Sequence, residues 1–335
     1  MYSCFSFIFI LSFFLIFLVK KHASSMGLID IPNERSAHEE HMPRGAGIGF
    51  FLAVAVIIPC FYFDLVSAYP WTLLAVLLIF IVGVLDDHRD TSPNTKFIIM
   101  IISTVLLSFD GIIISNIGIF FGIPLTLGWF ALPFTIFAVV GFTNALNLID
   151  GLDGLSASIS IVILAAFFTI GYQNDDFFMM IMSGSFIAGL LAFLLFNWHP
   201  ATIFMGDSGS LTLGFIIALL AIKSLAYIPA VSVLFVAAIP IIDTIIVMAR
   251  RKLYGKSMFS ADKCHVHHIM EGFFSDNTRR TVIFLALLQA IYSFVGLQLD
   301  KKIDEGYLLL FFILNIVLLY LFFGAMLKKK DGKCL

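Results

Sequence analysis

Five polar stretches carry the chemistry-bearing side chains of an otherwise very apolar chain. The first runs Asp30-Ile-Pro32-Asn33-Glu-Arg35-Ser36-Ala-His38 and on to Pro43-Arg44-Gly45-Ala46-Gly47. The second is Asp86-Asp87-His88-Arg89-Asp90, ending at Lys96, and the third is Asn144-Ala-Leu-Asn147-Leu-Ile-Asp150-Gly-Leu-Asp153-Gly-Leu-Ser156. The fourth spans Asn197 to Ser210, with Phe204-Met-Gly206-Asp207-Ser208-Gly209-Ser210 at its end. The fifth, Arg250 to Arg280, holds Phe259-Ser-Ala-Asp262-Lys-Cys-His265-Val-His267-His268.

Adjacent carboxylates such as Asp86 and Asp87 suit Mg²⁺, which takes oxygen ligands and binds through one or two carboxylates plus substrate phosphates. Neighbours on a helix point about 100° apart, so both can face one site only if the helix ends there. The bland alternative is a solvated helix cap. Asp207 precedes an apolar run, where the free amides of a helix start attract anions. A carboxylate there repels a phosphate unless a cation lies between them, which makes Asp207 a Mg²⁺ ligand candidate; a plain N-cap is the alternative. The histidines can ligate zinc, act as acid or base, or bind phosphate when protonated. With Arg250, Arg251, Lys252, Lys256 and Lys263 nearby, a diphosphate-binding wall is the better reading; a cationic loop on anionic lipid is the bland one. Cys264 beside His265 has no partner cysteine, so the four scattered cysteines read as free thiols.

The elements that must position these groups are membrane helices. Of 335 residues, 60% are hydrophobic and 13% charged, with 38 phenylalanines, against about 25% charged in a soluble domain. The apolar runs predict an all-α polytopic membrane protein of one domain, 1–335, with about eleven spans. These are about 2–19, 46–66, 70–85, 97–114, 129–146, 155–171, 177–196, 210–224, 228–249, 281–298 and 305–327. With that count, all 20 Lys and Arg except Lys223, Lys301 and Lys302 fall on one side. The positive-inside rule then places the N-terminus outside and the C-terminus in the cytoplasm, with all five polar stretches cytoplasmic. Lys20-Lys21 follow the first span, so it reads as an uncleaved anchor. Asp243 sits within a span, roughly 10 Å below its cytoplasmic end, and must face the bundle interior or a hydrated cleft; a Lys or Arg from another loop is its expected partner. Outside, 112–127 reads as a small hairpin, while Asn174-Asp175-Asp176 and Lys301-Lys302-Ile-Asp304-Glu305 read as solvated turns. Carboxylates and histidines at one interface imply a water-soluble substrate from the cytosol, and the apolar body implies a lipid co-substrate.

In order and spacing, the Asp86-Asp87, Asn144–Leu155, Phe204–Ser210 and His265–His268 motifs resemble the polyprenyl-phosphate N-acetylhexosamine-1-phosphate transferase family (glycosyltransferase family 4). The Pro32-Asn33-Glu-Arg35-Ser36-Ala-His38 and Pro43-Arg44-Gly45 pattern is most similar to the bacterial branch that starts O-antigen and other surface polysaccharides. The resemblance implies an enzyme of the bacterial inner membrane. It would transfer sugar-1-phosphate from a UDP-N-acetylhexosamine to undecaprenyl phosphate, releasing UMP, with Mg²⁺ required and Mn²⁺ able to substitute. It further implies Asp207 as metal ligand with Asn147 reaching the same ion, and Asp86 and Asp87 as the essential pair. Asp153, Asn197 and Phe204 would line the uridine pocket with Asp150 in support, as is Asp90. Lys96, His265, His267 and His268 would lie near the diphosphate. Direct attack by the lipid phosphate is favoured over a phospho-aspartate, because a phosphate monoester is mostly ionised near pH 7. Gly45-Ala46-Gly47 departs from the adjacent glycines of many relatives. The sugar is open among GlcNAc, GalNAc and 6-deoxy forms such as FucNAc or QuiNAc, and a homodimer is compatible with the family. A transporter or flippase for a polyprenyl-linked or anionic solute is the alternative; it would favour polar groups and broken helices at the midplane. A non-catalytic scaffold would not need four intact motifs. No feature points to nucleic acid.

Overall fold

A computed structural model describes residues 1–30, 41–255, 257, 265–299 and 303–329, with side chains to residue 324. Arg35 and His38 of the first stretch, and Lys256, Asp262, Lys263 and Cys264 of the fifth, lie outside the described residues. Among those described, eight helices are long and apolar enough to cross a membrane. They are α1 (Tyr2–His22), α4 (Pro70–Arg89), α6 (Ala131–Ile149, extended back to Gly128 by a 3₁₀ turn), α7 (Leu155–Gln173), α8 (Phe177–Asn197), α9 (Asp207–Ser224), α13 (Thr278–Gln298) and α14 (Glu305–Lys329). The spans expected near 46–66 and 97–114 fall on shorter apolar helices, α2 (Ala46–Phe61, continued by the short α3, Phe63–Ser67) and α5 (Pro93–Phe109).

Helix α9 is the axis of the bundle. Its apolar stretch is 83% buried, against 22% for α14, and α2, α4, α6 and α7 pack around it. Close approach is purchased with glycine. A Cβ on Gly83 of α4 would lie 2.6 Å from the Asp207 carbonyl oxygen and the Ser208 Cα, and one on Gly47 of α2 would overlap the backbone of Gly209. The glycine of Gly45-Ala46-Gly47 that matters for packing is therefore the last.

The expected span 228–249 is not one helix. It breaks at Ala237 into α10 (Ala230–Val236) and α11 (Ala238–Leu253), bent by 87°. Pro240 is the cause: it has no N–H to give the Val236 carbonyl and its ring crowds that oxygen. Apolar surroundings cannot satisfy the freed groups, so buried side chains of α13 do. Gln289 accepts from Ile239 N at 2.9 Å and donates to Val236 O at 2.7 Å, and Ser293 Oγ donates to the same carbonyl at 3.0 Å.

On the side opposite the polar stretches, the antiparallel strands Asn116–Phe120 and Ile123–Thr126 form the expected hairpin. Of the residues read as solvated turns, Asn174 and Asp175 are exposed and Lys301 and Lys302 lie outside the described residues, while Asp176, Asp304 and Glu305 tie elements together. Asp304 accepts from Phe121 N and Gly122 N at 2.8 and 2.9 Å, holding the hairpin turn. Glu305, 5% exposed, accepts from Ala230 N and Val231 N, both at 2.8 Å, and so caps α10. Asp176 caps α8 through Met179 N at 2.9 Å and accepts from the Tyr227 hydroxyl at 3.0 Å. Each carboxylate meets orphan amides at a helix or hairpin start; for Asp304 and Glu305 these belong to distant chain, which local composition does not reveal.

Candidate active site

Helix α4 runs past the expected boundary to Arg89, so Asp86 and Asp87 lie in its last turn, and Asp90 closes it in a left-handed conformation (φ 31°). The two carboxylates diverge as adjacent helical positions must. Asp87, 2% exposed, accepts from Asp207 N at 2.7 Å and Ser208 N at 3.0 Å, capping α9 from another helix. The residue at α9's own cap position, Gly206, has φ 75°, and a Cβ there would lie 2.5 Å from both Asp87 carboxylate oxygens. Glycine is thus required twice, for backbone angle and for room.

Asp86 turns the other way. Its Oδ1 accepts from Thr91 N (2.8 Å) and Thr91 Oγ1 (2.7 Å), and its Oδ2 meets Lys96 Nζ at 3.0 Å. The same ammonium is 2.7 Å from Asp207 Oδ2, so Lys96, at the start of α5, bridges carboxylates from α4 and α9. Asp207 Oδ1 accepts from Asn147 Nδ2 at 3.0 Å, and that amide also donates to Ser210 Oγ at 2.7 Å. The side chains of Asp86, Lys96 and Asp207 retain 12–23% exposure.

This donor set fits a hard divalent cation. Asp207, Asp86 and the Asn147 amide offer oxygens, and a cationic group already sits between the two carboxylates. Among the described residues no three His, Cys, Asp or Glu side chains form a metal cage. Carboxylate and amide oxygens are the ligand type that Mg²⁺ takes, whereas structural zinc uses cysteine and histidine.

The loop after α6 supplies a second acidic group. Asp150, half-buried, has its carboxyl pushed up to about 7, first by loss of water and then by the neighbouring charges of Asp207, Asp87 and Asp153. Asp153 Oδ2 accepts from Ala201 N at 3.0 Å and lies 2.8 Å from His199 Nδ1. Arg279 Nε in turn donates to the His199 carbonyl at 2.8 Å, linking α13 to this loop. Asn197, 5% exposed, accepts from Gly154 N at 2.8 Å and donates to Ile203 O at 2.9 Å. Its amide therefore holds two loops in register. Phe204 is placed by its backbone: its N–H donates to Pro43 O at 2.8 Å and its carbonyl accepts from Ala46 N at 3.1 Å. Arg44, next in the first stretch, reaches Asp90 Oδ1 at 3.5 Å and Asp30 Oδ1 at 3.7 Å.

The histidines open a short helix, α12 (Val266–Phe273), with His265 at its cap position. They converge despite their sequence adjacency: ring centroids of His265 and His267 are 5.5 Å apart, and those of His267 and His268 are 4.3 Å apart. A Cβ on Gly151 would lie 2.6 Å from His267 Nε2, so the cluster abuts the Asp150–Asp153 loop. His267 is 2% exposed and burial pushes its pKa down to about 3 against the pull of Asp243, which favours the neutral imidazole. The partner of Asp243 is not a Lys or Arg but His265, whose Nδ1 lies 2.7 Å from Oδ2; Oδ1 accepts from Val266 N at 2.5 Å. Arg250 and Arg251 are buried in the last turn of α11, at 5% and 7% exposure, which does not fit a solvated basic patch on lipid.

The structure thus brings Asp86, Lys96, Asn147 and Asp207 into one hydrogen-bonded cluster. Asp150 interacts electrostatically with it, and the histidines back the loop that carries Asp150 and Asp153. Three participants were not singled out from the residues: Thr91, Ser210 and His199. Thr91 and His199 lie inside the polar stretches but give no signal of type or spacing. Ser210 stands on the helical turn above Asp207, a spacing that places the two on one face.

A family model described as glycosyl transferase family 4 matches residues 69–225. A probable undecaprenyl-phosphate N-acetylglucosaminyl 1-phosphate transferase of Bacillus subtilis is 32% identical over 308 residues, covering 89% of this chain and 85% of the relative. The undecaprenyl-phosphate alpha-N-acetylglucosaminyl 1-phosphate transferases of Escherichia coli O157:H7 and Yersinia pestis are 31% and 32% identical, each covering 93% of this chain and 88% of the relative.

Proposed function

The chain belongs to glycosyl transferase family 4, and from that premise we propose that it transfers an N-acetylhexosamine-1-phosphate from a UDP-sugar to undecaprenyl phosphate. The observation that carries the reading is the Asp86–Lys96–Asp207 bridge with Asn147 behind it, set at the ends of apolar helices. A soluble diphosphate and a membrane-held phosphate can meet there.

An oxygen of the lipid phosphate attacks the phosphorus that bears the sugar. The bond between that phosphorus and the bridging oxygen breaks, UMP leaves with the bridging oxygen, and undecaprenyl-diphosphate-sugar forms. Such a reaction needs positioning and charge neutralisation more than covalent chemistry. Asp207, with Asn147 and Asp86 as neighbouring oxygen donors, would hold Mg²⁺, or Mn²⁺ in its place, and the ion supplies neutralisation of charge on the donor's diphosphate. Lys96 is a second cation within reach of the same phosphates. Asp87 is committed to the α9 amides and Asp86 is the more open of the pair, so Asp86 is the carboxylate that accepts the acceptor's proton or orients its phosphate. Asp153 and Phe204, on loops tied by Asn197, take the uridine. His265, His267 and His268 take the diphosphate, His267 as a neutral donor.

The helices cross the bacterial plasma membrane about eleven times, with the N-terminus outside and the site in the cytoplasm, and the proposed assembly is a homodimer. The product starts a cell-surface polysaccharide such as O-antigen. GlcNAc, the sugar named for the relatives, is the first candidate. The transporter reading gains one feature, the break between α10 and α11, but Gln289 and Ser293 seal its backbone groups. The test is UMP release by purified protein with undecaprenyl phosphate against UDP-GlcNAc, UDP-GalNAc, UDP-FucNAc and UDP-QuiNAc. Release with one donor is expected; silence with all four overturns the reading.

A further inference from the structure

Asp243 is a fully buried carboxylate within α11 and has no part in the scheme above. It lies on α11, is 1% exposed, and sits beyond the reach of bulk water. Retaining a charge there costs several kcal/mol unless strong hydrogen bonds offset it. Both oxygens are used on one short segment: Oδ1 takes Val266 N, the first amide of α12, and Oδ2 faces His265 Nδ1 at 2.7 Å. One carboxylate therefore fixes where α12 begins and which way the His265 ring is turned.

The chemistry of that contact is directional. A carboxylate only accepts, so the nitrogen facing it must carry the proton. Nδ1 of His265 is thereby held as N–H, and Nε2 is the one ring nitrogen left for substrate. The ring stacks on His267, which backs onto Gly151 in the Asp150–Asp153 loop, so the oriented imidazole belongs to the wall of the site. We propose that Asp243 is a positioning residue that sets the tautomer and orientation of His265, presenting Nε2 to the donor's diphosphate. The inference rests on the transferase reading above.

Asp243→Asn separates this role from simple packing. The carboxamide keeps its size and can still accept from Val266 N, but it then turns an N–H₂ toward His265 Nδ1. The imidazole must accept there and move its proton to Nε2. Histidine-selective ¹⁵N NMR of the full chain in nanodiscs reads this directly among the eight histidines, with His265→Asn identifying the resonance. The expected result is Nδ1–H in the wild type and Nε2–H in Asp243→Asn. Turnover is expected to fall roughly 10- to 100-fold, the usual cost of losing a histidine's orienting partner. In a His265→Ala background the same change should alter turnover less than about twofold, as for a residue acting only through that ring. An unchanged tautomer overturns the proposal, as does an equal loss in the His265→Ala background or full activity of His265→Ala itself. If wild-type protein releases no UMP from any donor, the transferase reading fails instead, and the tautomer comparison still decides what Asp243 does to His265.

Discussion

Replacing each of the adjacent carboxylates Asp86 and Asp87 by asparagine should produce two different defects. Asp87 is 2% exposed and takes the first two amides of α9 at 2.7 and 3.0 Å. Helix starts carry about half a positive charge, and charge-assisted hydrogen bonds contribute about 1.5–3 kcal/mol each. Asp87→Asn removes the charge and leaves one accepting oxygen for two donors. The loss should be about 1.5–3 kcal/mol, one charge-assisted hydrogen bond of the two. Tm of the purified protein should then fall by roughly 3–6 °C. Asp86→Asn is different, because Thr91 can still donate to the remaining oxygen and the lost partner, Lys96, is partly exposed. Its cost to stability should be at most about 1 kcal/mol, while turnover should fall at least about 100-fold, as when a group acting on transition-state charge is removed. Fluorescence-detected thermal unfolding and UMP release on the same preparations separate the two. An Asp87→Asn protein with wild-type Tm, or an Asp86→Asn protein with wild-type turnover, would refute the division of labour.

Gly206→Ala should be inactive and unstable even though it adds a single methyl, because the Cβ would lie 2.5 Å from the Asp87 oxygens at a left-handed φ; recovery of both properties in Gly206→Ala would remove the clash argument. Gln289→Leu should lower the unfolding free energy by about 1–3 kcal/mol, seen as a lower Tm, because it orphans the Ile239 amide while Ser293 still serves the Val236 carbonyl; KM and kcat for UMP release should be unchanged. His267, held down to about 3 by burial, is neutral in the folded protein while the unfolded chain protonates near 6.5, so its contribution is present above pH 6.5 and lost as pH falls toward 3. Urea or thermal unfolding between pH 7 and 4 should show that loss, and His267→Gln should flatten it; an identical acid slope in the variant would contradict the assignment.

Much of the helical framework was legible because a membrane helix announces itself by length and apolarity. Eight of the expected spans fall on helices long enough to cross a membrane, two fall on shorter apolar helices and one is broken at Ala237, and the polar stretches were found because charge is rare in this chain. What escaped were pairings across distance. No local pattern says that Asp87 will accept from amides 120 residues away, that Asp243 will meet His265, or that His199 will face Asp153. Composition likewise classed Asp304 and Glu305 as solvated, since a carboxylate in a loop looks the same whether water or a helix start receives it. Pro240 is the local mark of the break, but the uniformly apolar sequence around it reads as one continuous span. The buried Gln289 that makes the break tolerable lies on another helix. The resemblance to a known family put Asn147 with Asp207, Asp86 with Asp87, and Lys96 with the histidines; the structure sets Lys96 between the Asp86 and Asp207 carboxylates with Asn147 behind, and turns Asp87 away to the α9 amides.

The central claim is that Asp207 and its neighbours run a cation-dependent transfer between a soluble donor and a lipid phosphate. UMP release by wild-type and Asp207→Asn protein in liposomes, with undecaprenyl phosphate and the preferred UDP-sugar, titrated with Mg²⁺ after chelation, tests it most directly. The account predicts release that requires donor, acceptor and Mg²⁺ together, and none from Asp207→Asn at any Mg²⁺ concentration. Release by the wild type in excess chelator, or near-normal release by Asp207→Asn, would contradict it.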